Sequence, residues 1–248
     1  MKKFILISCL VLTMSVSAQD FLSNQLTYPR VQDANMHKYD KVSAYFKAKN
    51  LSFPNTSIFW RAFKWNKALE LWAYHPDSQF YIMVKSFPIC EIVGELGPKR
   101  QEGDFQIPEG FYYFENFNPS SKYYLSLKVS YPNGSDMILG VQNKLGGDIY
   151  VHGGCETIGC LPMTDSLIQE IYLINMYAKG SGQDYIPIHI FPTKLTTKNF
   201  NKLKVEYFKD NFVLLNFWKN LKEGYDFFDK KRILPMISID DKGKYIFQ

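Results

Sequence analysis

The chain has 248 residues, 46% of them hydrophobic and 17% aromatic, and a formal charge of +5. That length buries a sizeable core in one domain, and the aromatic content favours a β-rich one. The charge is mild and no basic stripe is interleaved with aromatics, which argues against a nucleic-acid partner.

Met1-Lys2-Lys3, the apolar run from Phe4 to Met14 and the small residues Val16-Ser17-Ala18 read as a secretory signal over 1–18, cut after Ala18. The run is short for a membrane span, so no stable membrane insertion is expected once it is removed. Leu6-Ile7-Ser8-Cys9 loosely fits a lipid-attachment box, a weaker alternative, because few apolar residues precede Cys9. Loss of Lys2 and Lys3 leaves 27 basic against 24 acidic residues, a net +3. Cys90, Cys155 and Cys160 remain, and in an oxidising compartment an odd number leaves one thiol over.

Residues 30–49 have helical spacing, and 19–55 form an N-terminal helical segment ended by Pro54-Asn55. Short aromatic and β-branched runs follow at 58–60, 69–74 and 80–84, separated by turn residues, as in an antiparallel sheet or barrel. A Gly/Pro-rich loop spans 94–110, a length that often carries function. Strands are expected again at 111–114, 123–129 and 149–151, with a tight turn at Tyr131-Pro132-Asn133-Gly134. Thr164 or Asp165 caps a helix that ends near Gly180, and 186–191 is a further strand. In the tail, 194–248, Phe208 to Leu221 suits a helix, and 236–239 with 245–247 a closing hairpin. The whole reads as a mostly β catalytic domain over 56–193 with peripheral helices, an α+β arrangement.

The chemistry concentrates in Tyr150-Val151-His152-Gly153-Gly154-Cys155-Glu156-Thr157-Ile158-Gly159-Cys160-Leu161-Pro162. A β run ends on a histidine, a glycine-rich loop follows, and a cysteine stands just before a helix start. A thiol attacks carbonyls as thiolate, so it needs a base, and a helix N-terminus favours the anion. His152 is the candidate base and Cys160 the nucleophile. The Gly153 carbonyl is the candidate for holding the ring, since no acid clearly fills that role. Gly159 lets its own amide and that of Cys160 point at a developing oxyanion.

His152-Gly153 followed by Thr157-Ile158-Gly159-Cys160 resembles the signature of the L,D-transpeptidase catalytic (YkuD) domain, and the short His-to-Cys spacing with a second cysteine is similar to its YafK-type branch. Matching stretches are Cys90 to Lys99, Gly103-Asp104, Pro108 to Tyr112, Tyr131-Pro132-Asn133, Ile188 to Pro192 and Phe217 to Leu221, so the likeness spans roughly 57–247. The resemblance implies a β-sandwich or barrel fold and an acyl-enzyme mechanism on diaminopimelate-containing peptidoglycan stem peptides in the periplasm. Cys160 would form a thioester that passes to an amine or to water, with no cofactor. Carried over by position, Thr157 takes the Ser/Thr place near the substrate. Pro162 stands where many members carry Arg, which leaves room for a hydrolase, including one that releases a wall-anchored lipoprotein. An inactive wall-binding module is a reading of another class.

Lys99 and Arg100 are candidate contacts for acidic stem peptides, against the alternative of a solvated charge pair. Asp104 and Glu109 read as turn-shaping residues. The expected disulfide partner of Cys155 is Cys90; a Cys155–Cys160 pair, which would mask the nucleophile as a redox switch, stays open, because sequence does not fix connectivity. A zinc site on His152, Cys155, Cys160 and His189 is a minor alternative.

Overall fold

The computed structural model describes residues 20–207 and 211–248. The expected signal segment and Phe208 lie outside these residues.

Helix α1 (Pro29–Lys47) opens with proline at its first position, where the missing N–H costs nothing. It buries Val31, Ala34, Val42 and Phe46. Strands β1 (Ile58–Phe63), β2 (Ala68–His75) and β3 (Phe80–Pro88) form an antiparallel meander. Next come β4 (Gly110–Asn118), β5 (Ser126–Val129), α2 (Gly134–Leu139), β6 (Tyr150–His152) and β7 (Leu161–Pro162). The chain continues through α3 (Asp165–Gly180), β8 (Pro187–Phe191), α4 (Thr197–Lys202), α5 (Phe212–Lys231) and a hairpin of β9 (Ile237–Ile239) with β10 (Tyr245–Phe247).

Eight strands make one mixed sheet in the order β3-β2-β1-β8-β4-β5-β6-β7. The pairs β1·β8 and β6·β7 are parallel and the rest antiparallel. Period-two alternation divides the side chains between two cores. Trp60, Ala62, Ile188 and Ile190 join α1 and α3 in one. Phe63, Phe111 and Phe191 join Leu215, Trp218 and Tyr225 of α5 and Tyr245 of the hairpin in the other. The expected β core with peripheral helices is what the chain forms.

Three local expectations change. The segment at 131–134 is not an isolated tight turn: Asn133 caps α2, its side chain accepting from the Asp136 amide at 3.1 Å while Asp136 accepts from the Asn133 amide at 3.1 Å. The strand expected from Tyr123 begins only at Ser126, because Tyr124 sits at φ +70°, outside the β region. The third concerns Cys160, which precedes strand β7 rather than a helix; α3 starts five residues later, capped by Thr164, whose hydroxyl accepts from the Leu167 amide at 3.2 Å.

Glu109 is not a turn residue. It is fully buried and paired with the fully buried Lys64 at 3.0 Å. Its carboxylate also accepts from the Gly97 amide at 2.8 Å and from Trp218 Nε1 at 2.7 Å. Lys64 donates further to the Gly97 and Ile107 carbonyls at 2.7 and 3.1 Å. One buried pair thus fastens the 94–109 loop to β1 and α5. Removing one partner strands a buried charge, a loss of about 3–5 kcal/mol. Glu109→Gln should lower the urea-unfolding free energy by about that amount. The double variant Lys64→Met/Glu109→Gln, neutral and keeping one acceptor oxygen for either the Gly97 amide or Trp218 Nε1, should recover part of it.

Candidate functional site

The parallel pairing of β6 with β7 brings the chain back beside itself after an eight-residue loop. Val151 pairs with Leu161 and His152 with Pro162, which sets Cys160 alongside Tyr150. The Met163 amide donates to the His152 carbonyl at 2.7 Å, and the Cys155 amide to the Met163 carbonyl at 3.3 Å. Cys90 is disulfide-bonded to Cys155, and the Cys90 amide donates to the Pro162 carbonyl at 2.9 Å, so Cys90 grips the 153–160 loop near both ends. Cys160 is the free cysteine among the described residues.

Cys160, His152 and Thr157 line one cavity of about 500 Å³, together with Asn118, Ser121, Lys122, Tyr123, Ser126, Asp148, Tyr150, Glu156 and Ile158. His152 is buried. Its Nδ1 lies 2.6 Å from the Gly153 carbonyl, so Nδ1 carries the proton and Nε2 is left as the basic nitrogen. The ring packs against Tyr123, with centroids 4.6 Å apart. Gly153 leaves no space for a side chain: a Cβ there would stand 2.6 Å from Asp165 Oδ1 and 2.8 Å from the Tyr123 carbonyl.

The Cys160 thiol donates to the Asp148 carbonyl at 3.6 Å. Burial pushes it above its ordinary value of 9.0; the Tyr150 amide opposes this, the Asp148 carboxylate adds to it and Lys99 opposes it. Burial pushes the His152 imidazole below 6.5, against a smaller opposing effect of the Gly153 carbonyl. The resting pair at neutral pH is therefore thiol and neutral imidazole.

The loop is shaped around Thr157. Its hydroxyl accepts from the Gly159 and Cys160 amides at 3.1 and 2.7 Å and donates to the Cys160 carbonyl at 3.1 Å. This corrects the expectation that those two amides wait for an oxyanion: a hydroxyl oxygen already occupies them. Gly159 is needed for a different reason. It sits at φ +137°, and a Cβ would press to 3.2 Å on the Gln106 carbonyl.

Lys99 and Arg100 are not among the residues lining this cavity, which corrects their assignment to substrate. Lys99 is buried and bound to Asp104 at 2.7 Å and to the Gln101 carbonyl at 2.8 Å. Asp104 also accepts from the amides of Arg100, Gln101 and Gln106; burial raises its carboxyl, but these bonds and Lys99 outweigh that and hold it below its ordinary value. Arg100 pairs with Asp136 at 3.2 Å, lies 4.7 Å over the Phe217 ring and lines a second cavity of about 550 Å³. Both charges are spent on carboxylates inside the fold. The zinc set does not assemble either. Cys155 is in the disulfide, and His189 lies on β8 among the Phe59, Phe111 and Phe191 rings, where burial and then Arg61 hold it down to about 3. Tyr123 and Ser126 join the site without any signal in their own sequence neighbourhood, whereas Asp148 and Tyr150 adjoin His152 in the chain; the register Ser126↔His152 is what brings β5 in.

These directions set a pH profile. A reaction needing neutral His152 and a protonated thiol to hand over has a kcat/KM acid limb below 6.5 and an alkaline limb above 9. Measuring kcat/KM from pH 4 to 10 checks both limbs. Thr157→Ser keeps all three hydrogen bonds and should keep activity, whereas Thr157→Ala should lower kcat/KM roughly tenfold, the worth of about one such bond.

No family model matches the chain. The YafK proteins of Escherichia coli K12 and O157:H7, which carry an L,D-transpeptidase name, are each 34% identical to it over 207 residues, 83% of the chain and 78% of the relative. Among solved structures, the helical cell shape determining protein Pgp2 from Campylobacter jejuni superposes with a TM-score of 0.44 at 19% identity, over 76% of the chain and 74% of that protein. Bd1075 of Bdellovibrio bacteriovorus gives 0.41 at 20% identity, over 56% and 48%. Both scores are too low to carry argument, so kinship rests on the sequence match. By that identity and coverage the chain belongs to the L,D-transpeptidase family, in its YafK-type branch.

Proposed function

We propose that the chain is an exported, periplasmic cysteine acyltransferase acting on diaminopimelate-containing peptidoglycan stem peptides. The observation that carries this reading is the free Cys160 thiol in one cavity with a buried His152 whose Nδ1 is bound to the Gly153 carbonyl. His152 Nε2 takes the thiol proton, and the sulfur attacks the carbonyl on the L-centre of diaminopimelate. The amide bond breaks as the same proton passes to the leaving amine, usually a terminal D-alanine, and a thioester remains on Cys160. An incoming amine then takes the acyl group and regenerates the thiol. No helix among the described residues is long and apolar enough to cross a membrane.

Hydrolysis by the same thioester is the second reading, favoured by Pro162 where many relatives carry Arg. An Arg there would hold a substrate carboxylate; without it, water competes with an amine. A wall-anchored lipoprotein tethered through a diaminopimelate amide is the macromolecular substrate for that case.

Incubating the purified protein with muropeptides and resolving products by mass separates these readings. New cross-links are expected for the transferase; shortened stems or a released protein tether alone would assign the hydrolase. Cys160→Ala should abolish either activity, a fall of several orders of magnitude, while leaving the fold intact. If product profiles were unchanged in that variant, the chain would be an inactive wall-binding module.

A further inference from the structure

Opposite the catalytic loop, the cavity is walled by residues 119–125, which join β4 to β5 and carry Ser121, Lys122 and Tyr123. This segment has no strand ladder of its own. Ser121 Oγ accepts from the Tyr123 amide at 3.1 Å, and Tyr124 stands at φ +70°, so the turn is held by a few local bonds. From outside, it is held by the Gly153 amide, which donates to the Tyr123 and Leu125 carbonyls, by the buried Leu125 side chain, and by Arg30 on the first turn of α1. One guanidinium nitrogen donates to the Ser121 carbonyl at 2.6 Å and to the Tyr124 carbonyl at 2.7 Å. The guanidinium also lies 5.5 Å over the Tyr124 ring. Below it, the Tyr124 hydroxyl accepts from Gln169 of α3 at 2.6 Å and donates to Asp33 of α1 at 3.3 Å.

Between those two carbonyls sits the residue that touches the base. The Tyr123 ring packs on His152, and the Tyr123 carbonyl accepts from the Gly153 amide at 3.0 Å. The same Gly153 supplies the carbonyl that binds His152 Nδ1. A continuous path of short polar contacts therefore runs from Arg30 through residues 121–124 to Gly153 and the imidazole. We propose that Arg30 is a positioning residue for the base: the N-terminal helix clamps the 119–125 wall, and through Tyr123 and Gly153 it sets where the His152 ring stands and keeps water from it. The inference rests on the assignment of His152 as base, and it makes α1 part of the active-site machinery rather than an appendage.

Because burial is what lowers the His152 imidazole, loosening this wall should let it rise toward 6.5. The titratable and charged groups around the ring are Lys122 and Tyr123 of the wall, Asp148 and Tyr150 before and on β6, and Glu156 and Cys160 of the catalytic loop, with Asp165 behind Gly153. None of them changes in the variants that follow.

The test compares Arg30→Ala with Arg30→Lys, whose single ammonium can still reach both carbonyls. The chain has four histidines, so proton NMR can follow the His152 titration, assigned by its loss in His152→Gln. In Arg30→Ala the His152 titration should move upward by a measurable fraction of a unit. Its kcat should fall roughly tenfold to a hundredfold with KM little changed, as for a misplaced catalytic group, and the kcat/KM acid limb should move with the titration. Arg30→Lys should restore most of both. An unmoved His152 titration in folded Arg30→Ala would overturn the proposal, whatever the melting temperature did. Should that variant not fold, Arg30→Gln takes its place under the same two readings. The titration needs no substrate, so an error in the proposed reaction cannot be mistaken for an error here: a shifted titration without acyl transfer would count against the reaction and for the clamp.

Discussion

The loop that carries Cys160 is cast against a surface that a buried ion pair holds in place. Lys64 and Glu109 contribute opposite charges to a fully buried region, and each spends its remaining hydrogen bonds on the loop between β3 and β4 or on Trp218 of α5. Such a pair adds little net stability over an apolar one, but it is unforgiving of displacement. Glu109 holds the Gly97 amide, and the residues that follow are held in turn by Asp104. Gln106 then presents the carbonyl against which Gly159 is pressed, one residue before Cys160. The disulfide to Cys155 and the hydrogen bond from Cys90 to Pro162 tie the other side of the same loop. Precision at Cys160 is thus borrowed from a charge pair deep in the opposite core.

That dependence explains which parts of the site were legible in the sequence. His152, Gly153 and Cys160 lie within nine residues, and their types state their chemistry: an imidazole ending a β run, glycines, a cysteine beside a glycine. The strands and long helices were legible for the same reason, since periodicity is local. The tertiary partners of charged residues were not. Lys99 and Arg100 look like free cations beside a glycine-rich loop, yet their carboxylates are at 104, close by, and at 136, across a helix cap. Glu109 looks like a turn residue because Lys64 and Trp218 are far from it in the chain. Asn133 reads as a turn until Asp136 is seen to close a capping box with it. The helix start expected to favour the thiolate lies past β7, whose two residues carry no periodic signal of their own.

The loop also satisfies itself. Thr157 accepts two amide hydrogens and gives up its own, so its hydroxyl ties the turn from 157 to 160 together from within. This is why a β-hydroxyl residue suits the position and an apolar one does not. It also means that the amides nearest the sulfur are held in the resting state, and a substrate oxyanion must either displace the Thr157 hydroxyl from them or find donors elsewhere on the cavity wall.

The choice of a carbonyl rather than a carboxylate to orient His152 fits the electrostatics around it. A buried carboxylate at Nδ1 would favour the imidazolium and draw the proton from Cys160 before substrate arrives. The Gly153 carbonyl fixes the tautomer while adding no charge, so burial prevails and the ring stays neutral. Burial prevails at the thiol as well, reinforced by Asp148 and opposed by the Tyr150 amide and Lys99. Both groups therefore rest uncharged at neutral pH. A neutral resting thiol is also a poor target for oxidants, because the thiolate is the reactive form. With Cys90 and Cys155 paired with each other, an uncharged Cys160 has protection that an ion pair would forfeit.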